Sequence, residues 1–535
     1  ESRVMQIQVV VLIITILWCC VACQSSGGEC KFHIPHNGAQ GTGIYSRGFC
    51  HFLGVPYARP IAAPWREFQV ADGANLEDYP IKFWNFTQRA GNCTQYDFEE
   101  RTIGGSDDCL YLNVYTQPWI DPQNPKAVLV WIHGGTFNFG SGYTDHADVP
   151  DAFVASNITV VTLNYRLGAM GFLYRVDEGI PENVGLLDQQ EALRWIQHNI
   201  GHFGGDATRV TLMGWSAGSA AVSYHLYTPS NEGLFHAAIM MSGSFLNPWA
   251  YAPSPQECLV KLCNQMGISC NYPGYLREIL TAAKLYKNLP FWITISFFGM
   301  PYPCFVPTGK LPQIVVKMKP PMDVPLMIGY TSHETLKLVD LNFMDTTGYD
   351  YTYPNAKQLN TIMDYLNFSL PEANQTDILV MADLIYGVVK FAEEYSKTAK
   401  SDTFLYKFSM PNAECHGDDL PFIFRENNDD GGLSKSSNNA KEITEENANL
   451  GTQMVRLWSN FVKFRKPTPV NDSLLNVKWN KFALNEGKLF LNIAQQLHMQ
   501  NFVEDSSFSI WHGIYECLYY GNCISLPIFD TIPKH

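Results

Sequence analysis

The sequence predicts an α/β fold built around a large, mostly parallel central β-sheet with helices on both faces. Short apolar runs alternate with amphipathic stretches between residues 127 and 245, which is typical of parallel strands crossed by helices. A second observation is the pentapeptide Gly214–Gly218, which follows an apolar run and precedes a helical pattern. Together these features favour repeated strand, turn and helix units.

Along the chain, the first predicted strands are Ala127–Ile132 and Ile158–Leu163, two short apolar runs. Asp188–Ile200 has its apolar residues on one face at helical spacing, which predicts a helix. Arg209–Met213 predicts a third strand, and a helix is expected from about Ala217.

The second half of the chain continues this pattern. Val324–Ile328 and Phe404–Phe408 are expected to be further strands of the same sheet, and the polar segment Arg425–Asn447 is expected to be an exposed loop. After it, a predicted helix packs back on the sheet through one apolar face, formed by Leu450, Met454, Leu457, Trp458 and Phe461.

The composition of the 535-residue chain excludes several classes of protein. Charged residues make up 16% and hydrophobic residues 46%, which argues against a disordered, collagen-like or coiled-coil protein. The formal net charge of −14 disfavours nucleic acid and anionic lipid as partners, because both are polyanions.

The N-terminal segment predicts secretion. Val9–Ala22 is an apolar run too short to span a bilayer but suited to the core of a signal peptide. We expect residues 1–23 to be a signal peptide, with Met5 as a candidate start and cleavage between residues 22 and 26. A retained signal anchor is the alternative. After removal no integral membrane segment is expected, and the mature protein is predicted to be extracellular.

Cysteines and sequons agree with a secretory route. Residues 1–23 contain three of the 14 cysteines, so an odd number remains and at least one thiol is expected outside a disulfide. Six Asn-X-Ser/Thr sequons predict surface glycosylation, at Asn85, Asn92, Asn157, Asn367, Asn374 and Asn471.

Gly214-Trp215-Ser216-Ala217-Gly218 has the strand, turn and helix context that gives a Gly-X-Ser-X-Gly motif its meaning. The glycines permit a tight turn, and the following helix directs its amides toward an anionic intermediate. The alternative is a Gly/Ser-rich turn without chemistry. The segment His133–Gly135, directly after a predicted strand, matches the loop that completes an oxyanion hole.

With these motifs the chain resembles type-B carboxylesterases of the carboxylesterase/cholinesterase family, which have the α/β-hydrolase fold. The resemblance covers nearly all of the mature chain and implies one domain over residues 24–535. Within the family, His416–Leu420 is most similar to secreted insect esterases, including the juvenile hormone and semiochemical esterases. The other matching segments are Gly54–Ala58, Asp108–Tyr115, Asn164–Arg166, Asp188–Gln189 and Phe203–Asp206.

The resemblance implies a catalytic triad of Ser216 as nucleophile, Glu334 as acid and His416 as base. The alternative for Glu334 is an ordinary loop carboxylate. The amides of the implied oxyanion hole belong to Gly135, Thr136 and Ala217. No metal or organic cofactor is implied.

Two departures from the family pattern concern the substrate. Thr136 stands where many relatives have a third glycine, which predicts altered acyl selectivity. Trp215, assigned to the substrate pocket, stands where cholinesterases have Glu, which removes an attraction for cations and argues against choline esters. The loop between Cys93 and Cys109 contains no Trp, unlike the cation platform of cholinesterases.

Two further departures concern the loops of the triad. Thr335 and Ala413 replace glycines of relatives, so the loops that carry Glu334 and His416 are expected to be shifted.

The resemblance implies a disulfide between Cys93 and Cys109, and a second one from Cys270 to Cys258 or Cys263. Proximity in sequence alone suggests two more pairs, Cys30 with Cys50 and Cys517 with Cys523. Cys415 is expected to be a buried thiol rather than a nucleophile.

The predicted function is therefore a secreted serine esterase that acts on small, uncharged, fairly apolar carboxylic esters through an acyl-enzyme. A catalytically inactive adhesion member of the family is one alternative, and a lipase or peptidase on the same fold is another. The physiological ester and the oligomeric state do not follow from the sequence.

Overall fold

The computed structural model describes most of the chain between residues 30 and 512. The described ranges are 30–59, 70–97, 102–143, 150–173, 181–252, 307–310, 312–334, 384–411, 415–424, 445–485 and 487–504, with Cys263, Gly267, Ser269, Phe508, Ser509 and His512. The predicted signal peptide lies outside them.

Sixteen strands are present in the described part of the chain. They are β1 (Lys31–Ile34), β2 (Ala39–Thr42), β3 (Ile44–Ser46), β4 (Phe49–Pro56), β5 (Phe83–Asn85), β6 (Gln95–Asp97), β7 (Thr102–Gly104), β8 (Tyr111–Thr116), β9 (Lys126–Ile132), β10 (Ile158–Leu163), β11 (Gly205–Trp215), β12 (Ala237–Met241), β13 (Leu326–Thr331), β14 (Thr403–Phe408), β15 (Leu489–Ile493) and β16 (Leu497–Asn501).

Eleven of these strands form one central sheet in the order β16-β15-β14-β13-β12-β11-β9-β10-β8-β4-β3. Every pairing from β15 to β10 is parallel, and the pairings at the two edges are antiparallel. The predicted fold, a large and mostly parallel sheet, is confirmed.

The α-helices of the described residues are α1 (Asp151–Ala155), α2 (Gly168–Phe172), α3 (Val184–Asn199), α4 (Ala217–Leu226), α5 (Pro312–Val315), α6 (Tyr386–Thr398), α7 (Leu420–Ile423) and α8 (Glu445–Phe464). Helices α3, α4 and α6 have no side-chain hydrogen bond at their N-caps. Packing of their apolar faces, rather than capping, therefore accounts for their stability.

Two apolar cores lie on opposite faces of the sheet, and strand β9 shows why. Successive side chains of a strand point to opposite faces. Val128, Val130 and Ile132 accordingly belong to the core beneath α3, α4 and α6, whereas Leu129 and Trp131 belong to the core beneath α1 and α8. Helices therefore cover both faces, as predicted.

Each predicted strand is present, and several boundaries differ, among them those of β13, which covers Leu326–Thr331 rather than 324–328. Strand β11 starts at Gly205 rather than Arg209, helix α3 starts at Val184 rather than Asp188, and helix α8 starts at Glu445, inside the predicted loop 425–447. The antiparallel edge strands were missed because their short runs mix polar and apolar residues, and the parallel strands β12 and β15 were not predicted either. Residues 425–444 lie outside the described part. The single domain over 24–535 stays a prediction.

The structure contains the disulfides Cys30–Cys50 and Cys93–Cys109, both of which were expected. Cys263 is disulfide-bonded too, whereas Cys258, Cys270, Cys517 and Cys523 lie outside the described residues. Cys415 is a buried thiol, as predicted. Among the described helices, none has the length and apolar character needed to cross a membrane.

Candidate active site

The order of the parallel strands brings the predicted catalytic residues to one edge of the sheet. The carboxyl ends of parallel strands lie on the same edge, where α/β proteins bind their ligands. Strands β14, β13, β12, β11 and β9 are consecutive neighbours. His416 follows β14, Glu334 follows β13, Ser216 follows β11, and the segment around Gly135 follows β9.

Ser216 lies at a strained turn between β11 and α4. Its backbone has φ +56° and ψ −121°, a conformation that costs a non-glycine residue of order 1–3 kcal/mol. The Ser216 amide donates to the Met241 carbonyl at 2.8 Å, and the Ser216 carbonyl accepts from the Ala220 amide at 3.0 Å. These bonds hold a serine that is 8% exposed at the tip of the turn.

The two glycines of the pentapeptide permit close backbone contact at this turn. A Cβ on Gly218 would lie 2.1 Å from the Ile132 carbonyl oxygen, and a Cβ on Gly214 would lie 2.3 Å from the Gly218 carbonyl. Helix α4 therefore packs directly against the end of β9, which places the Ser216 turn beside the predicted oxyanion loop.

The predicted oxyanion loop is a tight turn after β9. Gly135 has φ +102°, and its carbonyl accepts from the Asn138 and Phe139 amides at 2.9 and 3.0 Å. Thr136 has φ +53°, unusual for a β-branched residue. Among the described residues, no acceptor pairs with the amides of Gly135, Thr136 or Ala217. Three amides are thus available near Ser216, because a Cβ on Gly134 would lie 3.2 Å from the Ser216 Cβ.

Glu334 and His416 are paired. His416 Nδ1 lies 2.5 Å from Glu334 Oε2, and the Thr331 amide donates to Glu334 Oε1 at 2.7 Å. Glu334 is fully buried, and the His416 side chain is 5% exposed. The alternative of an ordinary loop carboxylate does not fit this arrangement, because ordinary loop carboxylates are exposed.

Trp215 joins the His416 loop to the Ser216 turn. Its ring stacks on the His416 ring, with centroids 4.7 Å apart and planes at 28°. In this conformation, the Ser216 hydroxyl and the His416 imidazole, both in the described part, do not hydrogen bond to each other. Contacts of this kind are often long in the absence of substrate.

A second buried carboxyl lies near the pair. Asp419 is fully buried and accepts a hydrogen bond of 3.0 Å at Oδ2 from the Tyr406 hydroxyl. Its Oδ1 has no partner among the described residues. Burial and the charge of Glu334 raise the pKa of Asp419 to about 7. Asp419 was missed by sequence reasoning, although its position three residues after the predicted base could have indicated it.

His133 holds the start of the oxyanion loop as a neutral ring. Its ring stacks on Tyr165 with centroids 4.5 Å apart, and Nδ1 donates to the Gly134 carbonyl at 2.8 Å. Burial lowers the pKa of His133 to about 4. This imidazole therefore contributes geometry rather than charge.

The remaining predicted positions are on the surface or outside the described residues. Outside the described residues lie Thr335, Ala413 and the sequons Asn367 and Asn374. The exposed sequons are Asn85, Asn92, Asn157 and Asn471.

Comparison with known proteins decides the family. The sequence profile of the carboxylesterase family matches residues 37–380 and 371–511, which is more than half of the chain. The chain belongs to the carboxylesterase family. It is a carboxylic-ester hydrolase with the α/β-hydrolase fold, and the family resemblance stated from its motifs is confirmed.

Relatives of this carboxylesterase include insect proteins. Esterase FE4 of Myzus persicae is 28% identical over 533 residues, which cover 87% of each chain. Juvenile hormone esterase of Tribolium castaneum is 41% identical over 211 residues, which cover 38% of this chain and 34% of that protein. Among solved structures, carboxylesterase EST55 of Geobacillus stearothermophilus matches with a TM-score of 0.69 and 25% identity, covering 90% of this chain and 99% of its own.

Proposed function

We propose that this carboxylesterase is a secreted serine esterase that cleaves small, uncharged, fairly apolar carboxylic esters through an acyl-enzyme intermediate. The observation that carries the proposal is the Glu334–His416 hydrogen bond of 2.5 Å, with the His416 ring stacked beside the Ser216 turn. A serine hydroxyl is a weak nucleophile, and it needs a base that is itself oriented by an acid.

In the first step His416 Nε2 takes the proton of Ser216 Oγ as the oxygen attacks the ester carbonyl. Glu334 accepts from Nδ1–H, so it fixes the tautomer that leaves Nε2 free and stabilises the imidazolium. The imidazolium then gives its proton to the leaving alcohol, and the acyl group stays on Ser216. In the second step His416 takes a proton from water, and the water oxygen attacks the acyl-enzyme carbonyl. The bond from the acyl carbon to Ser216 Oγ then breaks, the imidazolium returns its proton to Oγ, and the acid leaves.

The tetrahedral intermediates carry a negative oxygen, which the amides of Gly135, Thr136 and Ala217 would bind. None of these amides has an acceptor among the described residues. Removing one such donor in comparable hydrolases costs about 3 to 4 kcal/mol of barrier. The Ser216 turn and the oxyanion loop are already in strained conformations, so little reorganisation accompanies the reaction.

The preference for uncharged esters rests on Trp215 beside Ser216. An apolar ring at this position provides no carboxylate to attract a quaternary ammonium group. We expect a choline ester to be hydrolysed no faster than an uncharged ester of the same acid. A strong preference for the choline ester would contradict this part of the proposal.

Secretion is supported by disulfides, which form in oxidising compartments, and by exposed sequons. The disulfides Cys30–Cys50 and Cys93–Cys109 are expected to persist there. Asn85, Asn92, Asn157 and Asn471 are exposed and accessible to modification. Expression in a secretory host, followed by enzymatic deglycosylation and peptide mapping, tests this. Recovery of the protein only from the cytosol, without glycans, would contradict it.

The decisive experiment treats the purified enzyme with a fluorophosphonate and with a panel of aryl esters. We expect one adduct, on the peptide that contains Ser216, and loss of both labelling and turnover in Ser216→Ala. Equal turnover in Ser216→Ala would refute the nucleophile assignment. Folded wild-type protein that neither labels nor hydrolyses any ester would favour the adhesion alternative, and preference for long-chain emulsified esters would favour the lipase alternative.

A further inference from the structure

Trp215 occupies the space between the two loops that carry the chemistry. It is the last residue of β11, it is half-buried, and part of it packs against the core beneath α1 and α8. A Cβ on Gly134 would lie 2.6 Å from Trp215 Cε3, and a Cβ on Gly417 would lie 2.7 Å from Trp215 Cζ2. The indole therefore fits only because both loops present a glycine to it.

The position of the indole is set by ring packing rather than by a polar anchor. Trp215 Nε1 is buried and has no hydrogen-bond partner among the described residues. Besides its packing against the core and the two glycines, the indole stacks on His416, with ring centroids 4.7 Å apart and planes at 28°. Since Gly417 follows His416 directly, the indole also limits how far the His416 loop can approach the Ser216 turn.

The stack on the indole stabilises the two protonation states of His416 to different extents. A neutral imidazole gains only ring packing from it, whereas an imidazolium is also attracted to the electron-rich face of the indole. Tryptophan provides the strongest such face, and partial burial strengthens the attraction. Only interactions that are stronger in the transition state than in the ground state accelerate the reaction. Imidazolium is the form that His416 takes in the transition state.

We propose that Trp215 is a positioning residue for His416: its indole face holds the imidazole ring beside Ser216 and stabilises the imidazolium that forms during catalysis. The inference rests on the proposed serine-esterase mechanism. It gives Trp215 a role on the base itself, in addition to its predicted place in the substrate pocket.

Other ionisable groups on the surrounding elements must be separated from this effect. Glu334 binds His416 Nδ1, and Asp419 is close enough to be coupled electrostatically to His416. The Tyr406 hydroxyl donates to Asp419, and Asp418 accepts from the Cys415 amide at 3.1 Å. On the oxyanion side, His133 is kept neutral by burial. Burial and the charge of Glu334 raise the pKa of Asp419 to about 7, which lies inside the pH range of the measurement, so an Asp419→Asn background is needed.

The test compares Trp215→Met with Trp215→Phe in the full-length enzyme, in the wild-type and Asp419→Asn backgrounds. Methionine keeps apolar bulk without a ring face, whereas phenylalanine keeps a weaker one. In the pH profile of kcat/KM for an uncharged aryl ester, we expect the acid-limb midpoint to fall by about half to one pH unit in Trp215→Met. The shift should be smaller in Trp215→Phe, and the plateau should fall about three- to tenfold in Trp215→Met. A reduced plateau with an unchanged midpoint in both variants would overturn the proposal and show that Trp215 contributes only to packing.

A second measurement changes the electronic character of the indole while keeping its shape. Incorporation of 5-fluorotryptophan at all Trp positions keeps the ring shape but weakens its π face, and it should lower the acid-limb midpoint. The same incorporation into Trp215→Phe should leave the midpoint of that variant unchanged. An equal effect in both proteins, or none in either, would overturn the proposal. Failure of Ser216→Ala to abolish turnover would instead refute the proposed function, so the two failures are distinguishable.

Discussion

Glu334 and His416, which follow adjacent parallel strands, are joined by a hydrogen bond of 2.5 Å between Oε2 and Nδ1. Glu334 Oε1 is held at the same time by the Thr331 amide at 2.7 Å. A buried carboxylate fixed at both oxygens leaves His416 one productive ring orientation and one tautomer.

Glu334→Gln should lower kcat by about a thousandfold or more while leaving the fold intact. An amide of the same shape can donate to Nδ1, which would place the proton on Nε2 and block it as a base. The measurement is kcat for a p-nitrophenyl ester together with the rate of fluorophosphonate labelling. His333→Gln is the matched control, because His333 is exposed on the same loop. A loss of less than tenfold in Glu334→Gln would show that another group orients His416.

The sequence predicted five of the seven parallel strands described in the sheet, together with the pentapeptide, because these features have signals in the local sequence; β12 and β15 were missed. Apolar runs such as those in β9 and β10 indicate buried strands by themselves, and the pentapeptide is recognisable as a local motif, although the contact that requires Gly218 is made with β9. Contacts across the sheet have no local signal. Neither the stack of Trp215 on His416 nor the bond from Tyr406 to Asp419 could be inferred, because each joins separate elements whose spacing depends on sheet order.

Thr136→Gly should both stabilise the enzyme slightly and widen its acyl specificity. Thr136 has φ +53°, a strained conformation for a β-branched residue, and its hydroxyl is buried without a partner among the described residues. Glycine relieves the strain but loses more chain entropy on folding, so the expected net gain is a few tenths to about 1 kcal/mol. Chemical unfolding gives the stability. The ratio of kcat/KM for hexanoate and acetate p-nitrophenyl esters gives the specificity, and it should rise.

Thr136→Ala separates the two causes. Alanine removes the hydroxyl but keeps a Cβ at positive φ, so it should alter acyl specificity without the gain in stability that glycine provides. If alanine and glycine are equally stable, the backbone strain at this position is not relieved by glycine and the explanation is wrong.

Gly218→Ala should destabilise the protein by about 3 kcal/mol or more and abolish activity. The new Cβ would lie 2.1 Å from the Ile132 carbonyl oxygen, a backbone atom of the central sheet that cannot move without disturbing the oxyanion loop. Gly201→Ala is the matched control, because no atom outside its own stretch of chain lies within 4 Å of its Cβ position. Thermal unfolding and esterase rates of the two variants provide the comparison. Wild-type stability in Gly218→Ala would mean that helix α4 is not packed on β9 as described.

Asp419→Asn should change the pH dependence of stability in one direction. Burial and the charge of Glu334 raise the pKa of Asp419 to about 7, against about 3.9 for an unfolded aspartate. Between these values the folded state holds a proton that the unfolded state has released. This contribution to the free energy of unfolding is therefore complete below pH 4, and it is lost as pH rises toward 7. Asparagine does not titrate, so it makes no such contribution. Between pH 5 and 7 the free energy of unfolding of the wild type should therefore fall by about 1 kcal/mol per pH unit relative to that of Asp419→Asn.

Urea unfolding of both proteins across that range measures the difference, in which the other titrating groups largely cancel. Glu334→Gln supplies the matched comparison: removing the charge that raises the pKa of Asp419 should move the upper end of the window to lower pH. Parallel stability curves for wild type and Asp419→Asn would show that Asp419 is ionised in the folded protein. A buried carboxylate would then lie beside Glu334, and His416 would be held by two negative charges rather than one.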